Sequence, residues 1–154
     1  MSLDSATRRG LLRTAGLAAA GGLSALAGCT SDAQTDDSTE RFDGYLANVD
    51  NTETVRDRTD AASVSVTVGA QGNGGNLADA PAAVRAAAGT AVTWEWTGEG
   101  GRHNVVHEGD AFESALVTDA GHTFTHTFET AETFKYYCTP HKGLGMKGVV
   151  VVEG

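Results

Sequence analysis

Within eleven residues, Tyr136-Tyr137-Cys138-Thr139-Pro140-His141-Lys142-Gly143-Leu144-Gly145-Met146, the chain carries a thiol, an imidazole and a thioether. These are donors for a soft metal. Thiolate and thioether stabilise Cu(I) while imidazole serves both oxidation states, and a trigonal His₂Cys set with a long, weak Met is the donor set of one-electron copper centres. A second histidine is required. Of the five in the chain, His103 is the leading candidate, because it follows the bend Gly98-Glu99-Gly100-Gly101 and precedes the apolar pair Val105-Val106, where a strand begins. His107 competes with it but lacks the glycine-rich approach and the following Asn.

Taken singly, Cys138 reads as a small buried hydrophobe and Met146 as core filler. Together with two histidines they point to a metal. Zinc is the rival, but structural zinc takes four nitrogen, sulfur or carboxylate donors and a thioether is a poor fourth, so Met146 favours copper. The chain has no His-x-His pair, and its only other cysteine is Cys29, so the expected centre is mononuclear. A catalytic metal needs an open coordination position with acid–base groups beside it. No such pair is evident, and an enzyme is not expected. A copper-delivery protein is the second functional reading; its ligands would be exposed and exchangeable.

The pattern His103-Asn104, Cys138-x-x-His141 and a Met five residues later resembles the ligand pattern of small blue copper proteins. The resemblance is to plastocyanin-like cupredoxins, and within them to the halocyanins of extreme halophiles, over about residues 42–152. It is strongest in Val92-Thr93-Trp94-Glu95-Trp96, in the glycine-rich bend to Asn104 and in residues 135–150, and loosest in the alanine-rich residues 77–88. It implies a Greek-key β-sandwich holding one type 1 copper. Cys138 would then be the thiolate, His103 and His141 the imidazoles and Met146 the axial ligand, with the carbonyl of Arg102 opposite it. The resemblance also implies that the Asn104 side chain ties the upstream ligand strand to the Cys loop. The edge of His141 would face solvent as an electron port and Tyr137 would offer a second route. The implied function is electron carriage between redox partner proteins of a membrane electron-transport chain.

The elements that must position these residues have a hydrophobic period of two, which is the period of strands. Val64, Val66 and Val68 alternate with Ser63, Ser65 and Thr67; Val92, Trp94 and Trp96 alternate with Thr93, Glu95 and Thr97; Phe124 and Phe128 lie opposite Thr123, Thr125 and Thr127. Both tryptophans therefore read as core. His122 and His126 share the face of the two phenylalanines, so His126 reads as a packed histidine and not a ligand. Residues 134–138 and 148–152 supply the last two strands. Short strands between Gly and Asx turns, without a sustained helical period, predict an all-β sandwich. Residues 45–60 fit either a first strand with a loop or a short helix. Gly72-Asn73-Gly74-Gly75 lacks the Lys and Ser/Thr of a phosphate loop and reads as a turn.

Residues 1–28 read as an export address. Thr7-Arg8-Arg9-Gly10-Leu11-Leu12-Arg13 is a twin-arginine signal, followed by 15 uncharged residues, 14–28. A spanning helix needs about 20 apolar residues, so this is a signal segment and not an anchor. It ends in Leu26-Ala27-Gly28-Cys29, which resembles a lipobox with lipid carried on Cys29; an ordinary signal with an incidental cysteine is the alternative. With Cys29 lipidated and Cys138 on copper, no disulfide can form. Residues 29–41 hold four acids and no strongly apolar side chain, the composition of a disordered tether. Residues 42–154 are long enough for one domain with a single core.

The formal net charge is −9, and loss of residues 1–28 removes Arg8, Arg9, Arg13 and Asp4, leaving 8 basic and 19 acidic residues, a net −11. Nucleic acid is not an expected partner. The acids are scattered, which suits a solvated surface in concentrated salt, where repulsion is screened; a docking patch for a basic redox partner is the alternative. A monomer is expected.

Overall fold

The computed structural model describes residues 42–52 and 54–154. The twin-arginine signal, Cys29 and the tether expected over 29–41 lie outside the described residues.

The period-two segments are strands. In β2 (Ser63–Gly72), Val64, Val66 and Val68 are buried and Ser63, Ser65 and Thr67 exposed. In β5 (Thr90–Trp96), Val92, Trp94 and Trp96 are buried. The predicted strands over 134–138 and 148–152 are β8 (Thr133–Tyr137) and β9 (Lys147–Glu153), and β7 (Thr123–Phe128) carries the two phenylalanines.

Four further strands complete the sandwich: β1 (Arg56–Asp57), β3 (Gly75–Ala80), β4 (Ala83–Ala87) and β6 (Val106–His107). One sheet runs β1-β4-β9-β8-β6, the other β3-β2-β5-β7. Pairing is mixed: β2 with β5 and β4 with β9 are parallel, while β5 with β7 and β8 with β9 are antiparallel. Connections that cross repeatedly from one sheet to the other make these parallel neighbours, and the architecture is the expected all-β sandwich. The segment 77–88 was the least legible because its strand faces are built from alanines, whose alternation carries little hydropathy signal; Ala78, Ala83 and Ala86 are nonetheless fully buried.

The described residues of 45–60 form neither a helix nor a full strand. Backbone bonds Tyr45 N to Phe42 O, Ala47 N to Gly44 O and Val49 N to Leu46 O close successive turns, followed by the two-residue β1. These turns press Phe42, Leu46 and Val49 against Ala82, Ala83 and Val149, forming a second small core outside the main one. Strand β9 is thereby covered on both faces, which accounts for its unbroken valine run, since a strand buried on both sides need not alternate.

The main core joins the two sheets and runs without a break into the loop after β8, where Cys138 and Met146 belong to the same buried cluster as Trp94, Trp96 and Tyr136.

Candidate metal centre

The chain leaves β8 at Tyr137 and turns at once into a 3₁₀ helix, Thr139–Leu144, with Pro140 in its first turn and Gly145 ending it in a left-handed conformation. A 3₁₀ helix advances about 2 Å per residue, so it is the left-handed turn at Gly145 that brings the chain back. Cys138 N donates to Met146 O at 3.0 Å, and Met146 N to His141 O at 3.2 Å, so the loop is closed by its own backbone. Gly145 (φ 103°) is needed both for that conformation and for space, since a Cβ there would strike the backbone carbonyl of Asn48.

His103 enters from the opposite side. Its backbone makes both bonds of a bridge to Val117, at 2.9 and 3.1 Å, and its carbonyl accepts the Trp96 indole N–H at 3.0 Å. The ring Nε2 lies 2.8 Å from the Glu99 carbonyl, which can only accept, so Nε2 carries the proton and Nδ1 keeps its lone pair. That lone pair faces Cys138. Burial holds the imidazole below its usual pKa, keeping it neutral and ready to ligate. Gly100 (φ 83°) permits the bend, because a Cβ would collide with the Asn76 carbonyl and crowd the His103 ring.

The three donors converge: Cys138 Sγ is 3.8 Å from His103 Nδ1 and 3.5 Å from His141 Nδ1, and all three atoms lie within 4.8 Å of one another. Bond lengths of roughly 2.0 Å to nitrogen and 2.3 Å to sulfur, those of zinc sites, place such a pair about 3.5 to 3.8 Å apart around one metal ion. The spacing therefore fits a bound metal. Cys138 and His103 are fully buried, whereas His141 is half-buried. Burial pushes the Cys138 thiol up to about 11, partly opposed by a hydrogen bond from the Asn104 backbone.

Met146 is fully buried in the same loop. Asn104 clamps the two halves of the centre: its Oδ1 accepts Thr139 N at 2.7 Å and its Nδ2 donates to Thr139 Oγ1 at 3.0 Å. Arg102 precedes His103 and is exposed. Tyr137 is half-buried, its ring 4.2 Å beneath Lys142 Nζ, which bridges to Glu108 at 2.8 Å. The other histidines are placed elsewhere. His107 stacks on Phe112 at 5.0 Å and its Nδ1 accepts Ala111 N; His126 packs on Phe112 and Phe128; His122 meets the edge of Trp96.

Sequence reasoning missed Asn73, read only as part of a turn. Its Nδ2 donates to Gly145 O at 3.0 Å and Leu77 O at 2.7 Å, and its Oδ1 accepts Asp50 N at 2.9 Å, so it props the metal loop from behind. An Asn-Gly pair signals a turn whether or not its side chain reaches across the fold. The Glu99 carbonyl was likewise invisible, being a backbone atom.

The copper-binding protein family described as plastocyanin/azurin matches residues 64–153. Halocyanin of Natronomonas pharaonis is 48% identical over 102 residues, covering 64% of this chain and 61% of that protein. Among solved structures, a mutant plastocyanin of fern aligns with a TM-score of 0.50 and 30% identity, over 58% of this chain and 99% of that one. A purple cupredoxin from Nitrosopumilus maritimus aligns with a TM-score of 0.50 and 26% identity, over 58% and 99% of the two chains. The match thus spans less than two thirds of the halocyanin's length.

Proposed function

The chain belongs to the plastocyanin/azurin family of copper-binding proteins, and from that premise we propose that it carries single electrons on one type 1 copper, which His103, Cys138 and His141 would hold, with Met146 as a further, thioether donor. The observation that carries this reading is the aim of both Nδ1 atoms at the Cys138 sulfur. Copper supplies the one-electron couple. The protein's part is to fix the donors so that little moves between oxidation states: Glu99 locks the His103 tautomer, Asn104 holds Thr139, and the closed loop backbone fixes Cys138 and Met146. In this reading the Arg102 carbonyl, one residue before His103, would add an oxygen donor near the copper.

Exit and entry of the electron fall to His141, the half-buried ligand, with the exposed Leu144 beside it as an apolar contact for redox partner proteins. Tyr137, next to the ligand sulfur, offers the second route. Acid–base chemistry has no place in this scheme, and the protein is a carrier and not an enzyme. Full burial of Cys138 and His103 runs against the copper-delivery reading, which needs exchangeable ligands.

Adding Cu(II) to the metal-free protein should give an intense blue thiolate-to-copper absorption at one equivalent. Cys138→Ser should abolish it, and His103→Gly should alter it while His107→Gly leaves it intact. A colourless product, or blue colour that survives Cys138→Ser, would refute the assignment. The reading further places the mature protein on the outer face of the cell membrane, tethered through lipid on Cys29 and working as a monomer. Mass spectrometry of native protein should find a lipid-sized increment at Cys29; a soluble, unmodified N-terminus cleaved elsewhere would reject the tether.

A further inference from the structure

Asp79, on β3, is the only carboxylate among the described residues that is buried, with 1% of its surface exposed. Among the described residues, neither of its side-chain oxygens has a hydrogen-bond partner. A buried, unpaired carboxylate is costly to keep charged, so it holds its proton or finds a compensating positive charge. Its position makes the second alternative available. The carboxyl lies within electrostatic reach of the Cys138 sulfur and of the Tyr136 hydroxyl, and its negative form raises the pKa of both. It is bonded to none of the proposed ligands.

Among the described residues, no fixed cation answers it. Strand β2, with which Asp79 pairs opposite Val68, has no titratable residue. On β9, Lys147 lies over the Tyr45 ring and Glu153 is paired with Arg85. From the segment before β1, Asn51 donates to the Asp79 backbone carbonyl and leaves the carboxyl alone, while Asp50 accepts from Asn73 N. From β8 and the loop, Tyr136 and Cys138 are the groups that interact with it electrostatically. The charge that varies near this carboxyl is therefore that of the metal centre.

Building on the copper reading, we infer that Asp79 is the proton partner of the centre, protonated while the centre is reduced and ionised while it is oxidised. An oxidised centre carries one more positive charge than a reduced one, and through a low-dielectric interior that charge favours the carboxylate. On reduction, one electron arrives from the donor redox protein and one proton from water. The proton closes the O–H bond on Asp79, and the summed charge of the buried groups does not change. Burial alone pushes Asp79 up to about 7, so the switch operates near neutral pH.

The consequence is a reduction potential that falls as pH rises across the neutral range. A tenfold difference in proton affinity between the two oxidation states corresponds to about 59 mV between the acid and alkaline plateaus. The test is voltammetry of the blue, copper-loaded protein from pH 5 to 9, with Asp79→Asn and Asp79→Leu beside it, and infrared titration of the metal-free proteins. The wild type should show at least that fall. Both variants should be flat and lie near its acid plateau, and the metal-free wild type should show a protonated-carboxyl band that fades near neutral pH and is absent from Asp79→Asn. A blue wild type with a flat potential, or a slope kept in both variants, would overturn the proposal while leaving the copper reading intact. A colourless copper-loaded protein would instead count against the copper reading. The infrared titration would then decide alone, and an Asp79 ionised throughout would end the proposal.

Discussion

At the Cys138 sulfur, burial works against the charge that a metal requires. The thiol is pushed up to about 11, so at neutral pH the metal-free site holds a proton that the metal must displace. Copper uptake at pH 7.5 should therefore release one proton from the thiol, and apparent affinity should rise about tenfold per pH unit from this group alone. Proton release measured in weakly buffered solution checks it; release unchanged by Cys138→Ser would contradict it. In the proposed centre Met146 would have the lighter task. A long thioether bond adds little affinity but biases the couple, because it helps Cu(II) slightly more than Cu(I). Met146→Leu should raise the reduction potential and Met146→Gln, with its harder oxygen, should lower it, both proteins staying blue. Potentiometry giving three equal values would make Met146 core filler.

Between elements, the bond that matters most to the centre joins the segment before β6 to the loop after β8, through Asn104 and Thr139. Asn104→Ala removes both bonds to Thr139, an exposed residue whose N–H can turn to water, at a cost of about 0.5–1.5 kcal/mol for each. Denaturation should show that loss together with a shifted potential, and Asn104→Ser should recover part of both; an unshifted potential would reduce Asn104 to a turn residue. This tie was legible in the sequence through resemblance alone. The strands with strong alternation, β2, β5, β7 and β8, were legible from periodicity, because each has one apolar face against the core, and β9 from its unbroken valine run, which is covered on both faces. The alanine-built β3 and β4 were not, and neither was Asp79, which sits in a strand where its burial contradicts its type. Its carboxyl binds more protons in the folded state than in the unfolded one between about pH 4 and 7, so its contribution to stability is present at low pH and lost as pH rises through about 7. Asp79→Asn should thus gain about 4 kcal/mol relative to wild type in the metal-free protein between pH 4 and pH 8. Urea denaturation at the two pH values measures it, and an equal difference at both would show that Asp79 is ionised throughout.

Over the whole molecule, two sheets with a continuous core bring three donors from distant stretches of sequence together, and a packed interior of this kind resists the rearrangement that slows electron transfer. The surface serves a different end. With a formal charge of −9 the chain repels itself and its like, and in concentrated salt that repulsion is screened within about 3 Å at 1 M. All three lysines of the chain, Lys135, Lys142 and Lys147, nevertheless lie over the rings of Tyr45 and Tyr137 beside the metal loop, giving this face a local character unlike the rest. The central claim is that a single cysteine-bound copper holds one electron at a time in a site that does not rearrange. Spectroelectrochemical titration of the copper-loaded protein tests it most directly. The account predicts that the blue band bleaches with one electron per chain, with no change of shape, and returns in full on reoxidation; a band that needs more than one electron, or fails to return, would contradict it.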